Sequence, residues 1–300
     1  MQKVVVSFTT SPSRMFSCTK MVEAIRKQTQ APDLFILNVP DVFARTGEKY
    51  VVPRQLTNVL SVNRCGPDWG PATKFVPTIE FLKANNFDPG TRIIVIDDDW
   101  CYPSGMVAEY AKADPAIAWT LQGLKFSSKQ ELPKKAENFE SYLTFSEAAA
   151  PFFSQHYQIT KERRANQWCL LRLPNLQHNM FCDVLEAWNS FCVTLDMFKD
   201  DFMDYMRDAM TCDLTKFADD LTISNYLAKH GVERRVFLSP ECNIQRLVPI
   251  MTGILGEDAL RNGGALDETN LARYVNLLHK WEDAGENYLM NGRKPKCLQD

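Results

Sequence analysis

No two of the nine cysteines stand in a C-x-x-C pair, and their number is odd. That pattern fits a reducing compartment and not a disulfide scaffold. Basic charge is not in excess either: 34 Lys and Arg face 37 Asp and Glu, for a net −3. No strongly positive field exists to hold a nucleic-acid backbone, so nucleic acid is not an expected partner. No apolar run reaches membrane-spanning length, so no transmembrane segment is expected. The short run near the N-terminus ends at Thr9-Thr10-Ser11, too soon for a signal-peptide core, and the expected location is cytoplasmic. The four histidines, His156, His178, His230 and His279, show no H-E-x-x-H spacing, and a structural or exposed role is expected for each. His279 is the best placed of them to fold back onto an acidic site. There is no G-x-S-x-G, no cysteine in a nucleophile context, no Walker order around Lys74, no internal repeat and no low-complexity tract.

What is present is ordinary globular composition, 45% hydrophobic and 24% charged, which excludes a mainly disordered or collagen-like chain. Val4-Val5-Val6 reads as a buried strand closed by Ser7-Phe8-Thr9-Thr10-Ser11-Pro12. Cys18, Met21, Val22 and Ile25 follow at helical spacing. Phe35-Ile36-Leu37 is a second strand, and Leu60 and Val62 mark a third. Ala72, Phe75, Val76, Ile79 and Leu82 form a helical stripe with Pro77 in its first turn, where proline is tolerated. Ile93-Ile94-Val95-Ile96 is the strongest strand signal and stops at Asp97-Asp98-Asp99. Alternating strands and helices with continuous apolar runs predict a parallel α/β sheet covered on both faces. Residues 125–165 read as a long loop or irregular insertion. Asp200, Asp201, Asp204 and Asp208 read as a solvated helical face. Ile223, Tyr226, Leu227 and His230 predict a helix stopped by Gly231. The segment beyond 255 reads as mostly helical, through Leu271, Val275 and Leu278.

Chemistry concentrates in two acidic groups. Ligand sites of open α/β sheets lie at the carboxyl ends of strands. Three adjacent carboxylates there repel one another and call for a cation, with Mg²⁺ or Mn²⁺ bridging oxygen ligands to phosphates. Asp219-Asp220 precedes the 223–230 helix. The pair reads either as a helix N-terminal acid favoured by the dipole or as a general base aimed at an acceptor hydroxyl, and the pattern alone leaves both open. Thr9-Thr10-Ser11-Pro12-Ser13-Arg14 suits contacts to a base, ribose or phosphate, or is a plain connection. Gly66 to Lys74 is a turn-rich lead into a helix whose N-terminus is able to receive anions.

With V-V-V-S-F-T-T-S-P-S-R, G-P-A-T-K at 70–74, I-D-D-D-W-C-Y-P at 96–103, D-V-L-E-A-W-N-S at 183–190 and A-D-D-L-T-I-S-N-Y-L at 218–227, the chain resembles a nucleotide-sugar glycosyltransferase of the GT-A fold. The group resembled is the small sugar transferases of bacteria, algae and chlorella viruses. The resemblance implies a Rossmann-like, mixed, mostly parallel central sheet flanked by helices, with a helical C-terminal extension. It implies a transferase domain over 1–235, with a nucleotide half at about 1–103 and an acceptor half at about 104–235, followed by the extension at 236–300. Asp97 and Asp98 would face ribose and sugar, and Asp99, with Asp97, would hold a divalent Mn²⁺ or Mg²⁺. Thr9, Thr10 and Arg14 would border the base and phosphates, and Asp68 and Lys74 fall in the second nucleotide-side segment. Asp220 takes the position of the catalytic base, with Asp219 as fallback. Glu186 and Trp188 lie in the substrate segment, where Asn189-Ser190 replaces the glycines usual after that tryptophan. The implied activity is metal-dependent, inverting transfer from a UDP-sugar to a hydroxyl of a glycan or glycoprotein, in the host cytoplasm where the chain is viral.

Two rival readings share these residues. A metal-dependent phosphoesterase or nucleotidyltransferase would use the same aspartates. A non-catalytic sugar-binding module would use Trp69, Trp100 and Trp188 as stacking platforms.

Overall fold

The computed structural model describes residues 2–128, 142–144, 168–172, 180–212, 215–216, 218–237, 239–242, 246–250, 277–278, 280–282 and 284–289. Its strands are β1 (Val4–Thr9), β2 (Leu34–Val39), β3 (Ser61–Arg64), β4 (Arg92–Val95), β5 (Trp100–Cys101), β6 (Ile117–Thr120), β7 (Gly123–Ser128), β8 (Tyr142–Thr144), β9 (Trp168–Arg172), β10 (Met180–Phe181), β11 (Val184–Leu185), β12 (Phe191–Thr194), β13 (Glu233–Val236) and β14 (Val248–Pro249). The helices that matter for the site are α1 (Thr19–Arg26), α2 (Arg54–Thr57), α3 (Val76–Ala84), α4 (Met106–Lys112), α5 (Phe202–Met210) and α6 (Asp219–Lys229).

An eight-stranded sheet in the order β10-β13-β6-β12-β4-β1-β2-β3 forms the centre. Pairs β1–β2, β2–β3, β1–β4 and β13–β6 are parallel, while β12 runs antiparallel to both β4 and β6, and β10 antiparallel to β13. The fold is thus a mixed, mostly parallel α/β sheet flanked by helices.

The continuous apolar runs have a direct cause. Successive strand side chains point to opposite faces, and both faces are covered. Val4, Val6 and Phe8 pack with Met21 and Ile25 of α1 and Met106 and Tyr110 of α4. Val5, Ile93 and Val95 pack on the other side with Val76 and Ile79 of α3, Phe202 of α5 and Tyr226 of α6. Each such valine or isoleucine contributes roughly 1.5–3 kcal/mol by leaving water.

Most of the loop or insertion expected at 125–165 lies outside the described residues, but 125–128 and 142–144 belong to strands. β7 pairs antiparallel with β9 and β11, and β8 pairs with β9, giving a separate four-stranded sheet in the order β11-β7-β9-β8. Gly123-Leu124-Lys125-Phe126-Ser127 alternates in sequence, a weaker strand signal than an unbroken apolar run. Gly123 has no room for a side chain, since a Cβ there would stand 2.6 Å from Cys182 Cβ and 3.0 Å from the Val184 carbonyl oxygen. Gly123→Ala is therefore expected to cost about 1–3 kcal/mol, read as a lower denaturation midpoint in urea at an unchanged slope.

The acidic stretch after Phe198 is only partly a solvated face. Asp200, Asp204 and Asp208 are exposed, as expected. Asp201 instead receives Lys229 Nζ and the Tyr226 hydroxyl, both at 2.8 Å, with His230 Nε2 at 3.1 Å. Against the opposing effect of its partial burial, these partners hold its carboxyl down to about 2. Most of the expected helical extension, with His279, lies outside the described residues, as do His156 and His178. Cys18, Cys65, Cys101, Cys182, Cys192, Cys212 and Cys242 are not joined in disulfides. Among the described residues no helix is long and apolar enough to cross a membrane.

Candidate active site

The chain winds outward on both sides of β1, through β2 and β3 on one side and to the parallel β4 on the other, and the general rule for such sheets places a ligand crevice at the carboxyl ends of β1 and β4. Thr10 leaves β1 there and Asp97 leaves β4. The adjacent β12 runs the other way, with Phe191 opposite Val95, so the 186–190 segment arrives at the same edge.

The three aspartates are not equivalent. Asp98 is buried, and its two oxygens are taken by the Thr10 hydroxyl at 2.5 Å and by Arg14 Nη2 at 2.6 Å. Asp99 is the most open, its side chain 39% exposed against 8% for Asp98. One of its oxygens meets the same Arg14 nitrogen at 2.9 Å, while its Oδ1 is buried without a hydrogen-bond partner among the described residues. Asp97 accepts Lys74 Nζ at 2.9 Å. Its backbone N–H donates to the Tyr102 hydroxyl at 2.9 Å, a buried anchor that Tyr102 gives no sign of from sequence. Burial pushes the carboxyls of Asp97 and Asp98 up; Lys74 opposes this at Asp97, Arg14 opposes it at Asp98, and the Asp99 charge adds to both. Burial likewise works against the Arg14 charge, but Asp98 and Asp99 outweigh it.

Asp219 and Asp220 form the first turn of α6, both buried. Their position suits the helix dipole, which favours negative charge at an N-terminus. The pair splits in use. Asp219 Oδ2 lies 3.0 Å from Lys74 Nζ, whereas Asp220 Oδ1 accepts the backbone N–H of Ala187 at 3.2 Å. Lys74 thus touches one carboxylate from each acidic group and brings the two groups together.

Other expected residues fall in varied places. Thr9 donates its hydroxyl to the Asn38 carbonyl and ties β1 to β2. Asp68 serves a turn: it accepts the N–H groups of Ala44 and Gly70, each at 2.8 Å, and the Thr73 hydroxyl at 3.2 Å. Lys74, expected on the nucleotide side, is buried in ion pairs. Glu186 is buried, its N–H donating to the Gln122 carbonyl oxygen. Asn189 and Ser190 are buried as well, Ser190 Oγ lying 2.9 Å from the Tyr110 hydroxyl. Trp188 is partly exposed and packs at a tilt against Trp100, ring centroids 5.1 Å apart, while Trp69 is buried.

Among the described residues no group of three or more His, Cys, Asp or Glu side chains is placed to hold a metal ion by itself. Mg²⁺-type ions bridging a diphosphate do not need one, since one or two carboxylates plus substrate oxygens suffice. The unpartnered Oδ1 of Asp99, beside Asp97, meets that requirement.

No protein-family model and no curated protein matches the sequence. Among solved structures, the chain is similar to 4-diphosphocytidyl-2C-methyl-D-erythritol synthase, at 12% identity and a TM-score of 0.42, over 81% of this chain and 93% of that one. It is also similar to the nucleoside-diphosphate-sugar pyrophosphorylase from Vibrio cholerae RC9, at 11% identity and a TM-score of 0.34, over 90% of this chain and 99% of that one. Likeness at this level leaves activity to be argued from the site itself.

Proposed function

We propose that the chain is a glycosyltransferase moving a sugar from a nucleoside-diphosphate sugar, a UDP-sugar first among candidates, to a hydroxyl of a glycan or glycoprotein. The observation that carries the reading is the joining of the two acidic groups: Lys74 meets Asp97 at the end of β4 and Asp219 at the start of α6, at the sheet's switch point. In this reading residues 1–235 make up the transferase domain, and 236–300 form an extension on it.

Asp99 and Asp97 would hold the divalent ion, which when bound offsets charge on the departing diphosphate. The residues of the chain supply the rest. Arg14, held at the crevice edge by Asp98, presents positive charge to the donor phosphates. The partly exposed faces of Trp100 and Trp188 suit stacking against a sugar ring. Asp220, its Oδ1 fixed by the Ala187 amide, takes the proton from the acceptor hydroxyl as that oxygen attacks the anomeric carbon. Attack in one step inverts the configuration.

Nucleotidyl transfer would use the same carboxylates, and a glycine-rich loop of backbone amides is one way of holding its triphosphate. This chain has no glycine before Gly47, so the loop after β1 has none.

The test is a panel of nucleotide sugars and nucleoside triphosphates with Mn²⁺, scored first by thermal stabilisation and then by product. The expected result is stabilisation by one nucleotide sugar, release of nucleoside diphosphate and an inverted product by NMR. Release of pyrophosphate would replace this reading with nucleotidyl transfer. Carbohydrate binding that ignores both metal and nucleotide would replace it with a binding module.

A further inference from the structure

Lys74 has the residue type expected of a phosphate ligand, but its surroundings argue for another task. It is 5% exposed. An ammonium has three N–H donors, and three acceptors surround this one. Its hydrogen bonds go to Asp97 Oδ1 at 2.9 Å and the Ala187 carbonyl oxygen at 3.5 Å, and Asp219 Oδ2 is an ion-pair partner at 3.0 Å. Its charge is thus already faced by two carboxylates within the fold. The Lys74 backbone is held as well. Its carbonyl oxygen accepts the Ser7 hydroxyl at 2.7 Å, and Ser7 belongs to a buried network with Thr78 at 2.6 Å and Asn38 at 3.1 Å. That network roots the lysine in β1, β2 and α3.

The far ends of its contacts are the working parts of the site. Asp97 belongs to the β4 edge, where the donor is proposed to bind. Asp219 opens α6, one residue before Asp220. Ala187 accepts from Lys74 through its carbonyl and donates through its N–H to Asp220 Oδ1.

We infer that Lys74 is a positioning residue, a buried strut that fixes the distance between the donor carboxylates and the base-bearing first turn of α6 without touching the donor's phosphates. The inference rests on the proposed function for what is positioned, but the strut itself is a property of the fold. A buried ion pair broken on one side leaves uncompensated charge, so the strut is expected to show in stability as well as in rate.

The experiment compares Lys74→Met, Lys74→Arg, Asp219→Asn and the double variant Lys74→Met/Asp219→Asn with the wild type, in the full chain. The readouts are melting temperature, Kd for UDP by calorimetry, and kcat at saturating donor. Lys74→Met is expected to melt about 10 °C lower. The double variant should recover part of that loss, because one stranded carboxylate is gone. UDP affinity should stay within about threefold, while kcat falls about 100-fold in Lys74→Met and in the double variant, the cost of a small misplacement of reacting groups. Lys74→Arg, which keeps the charge, should restore the melting temperature and only part of kcat. Should Lys74→Met fail to fold, the arginine and double variants carry the same comparison.

A tenfold or greater rise in the UDP Kd of Lys74→Met with kcat preserved would make the lysine a phosphate ligand and overturn the inference. Recovery of kcat together with stability in the double variant would reduce it to a fold element and overturn it equally. If UDP does not bind the wild type, the donor reading fails by itself. The melting temperatures still decide the strut, since additive shifts for Lys74→Met and Asp219→Asn would sink it and non-additive shifts support it.

Discussion

Asp220→Asn is expected to lower kcat by about 10³-fold while the UDP Kd stays within about twofold. Asparagine has the same shape and keeps an oxygen to accept the Ala187 N–H, which in the native protein reaches Asp220 Oδ1 at 3.2 Å. Local geometry is therefore retained and only the capacity to take a proton is lost. Steady-state kinetics with equilibrium UDP binding make the comparison. Asp219→Asn is the control. Its carboxylate is committed to Lys74 at 3.0 Å, so its replacement should act through stability and the lysine strut. A larger kcat loss in Asp219→Asn than in Asp220→Asn, at equal folded fraction, would move the base to Asp219.

The division of labour between these neighbours shows what sequence gives and withholds. Asp219-Asp220 before an apolar helical stripe predicts a helix start, and α6 begins at Asp219. Which carboxylate meets the Lys74 ammonium at 3.0 Å and which accepts the Ala187 amide depends on residues far away along the chain, and no local pattern reports a contact of that separation. The same holds for Asp98, the middle aspartate, whose partners Thr10 and Arg14 lie on another strand's loop. The sheet's centre was legible because Val4-Val5-Val6 and Ile93-Ile94-Val95-Ile96 are buried on both faces, and that leaves an unbroken apolar run. The β7–β9 sheet was not, because a few residues of apolar–polar alternation in sequence resemble a loop. Isolated polar residues inside apolar strands were a usable signal that went unread. Ser7 and Asn38 are wholly buried, and both support the segment that carries Lys74. Asp68, with turn residues around it, was open to being read as a cap for the Gly70 amide rather than a nucleotide contact.

Asp99→Ala is expected to abolish the Mn²⁺-dependent part of nucleotide binding and to leave the metal-independent part. The three strand-end aspartates make this a sharp comparison, because each is tied differently. Asp98 is a scaffold acid with both oxygens engaged, so Asp98→Ala should release Arg14 and Thr10, lower stability and weaken UDP binding with or without metal. Asp99 shares Arg14 but keeps a buried oxygen without a hydrogen bond among the described residues, an arrangement that costs free energy until a cation arrives. Removing Asp99 leaves Arg14 on Asp98 at 2.6 Å, so the phosphate-facing charge stays in place. Calorimetric titration of UDP with and without Mn²⁺ separates the cases. Wild type should bind UDP more tightly with Mn²⁺. Asp99→Ala should give the same Kd in both conditions and bind Mn²⁺ at least about 100-fold more weakly, since changes even one shell further out cost 10–100-fold. Full Mn²⁺ enhancement in Asp99→Ala, with its loss in Asp97→Ala, would shift the metal ligand to Asp97. Retention in both would mean that the ion is held elsewhere, and the strand-end carboxylates would then serve only to anchor Arg14 and Lys74.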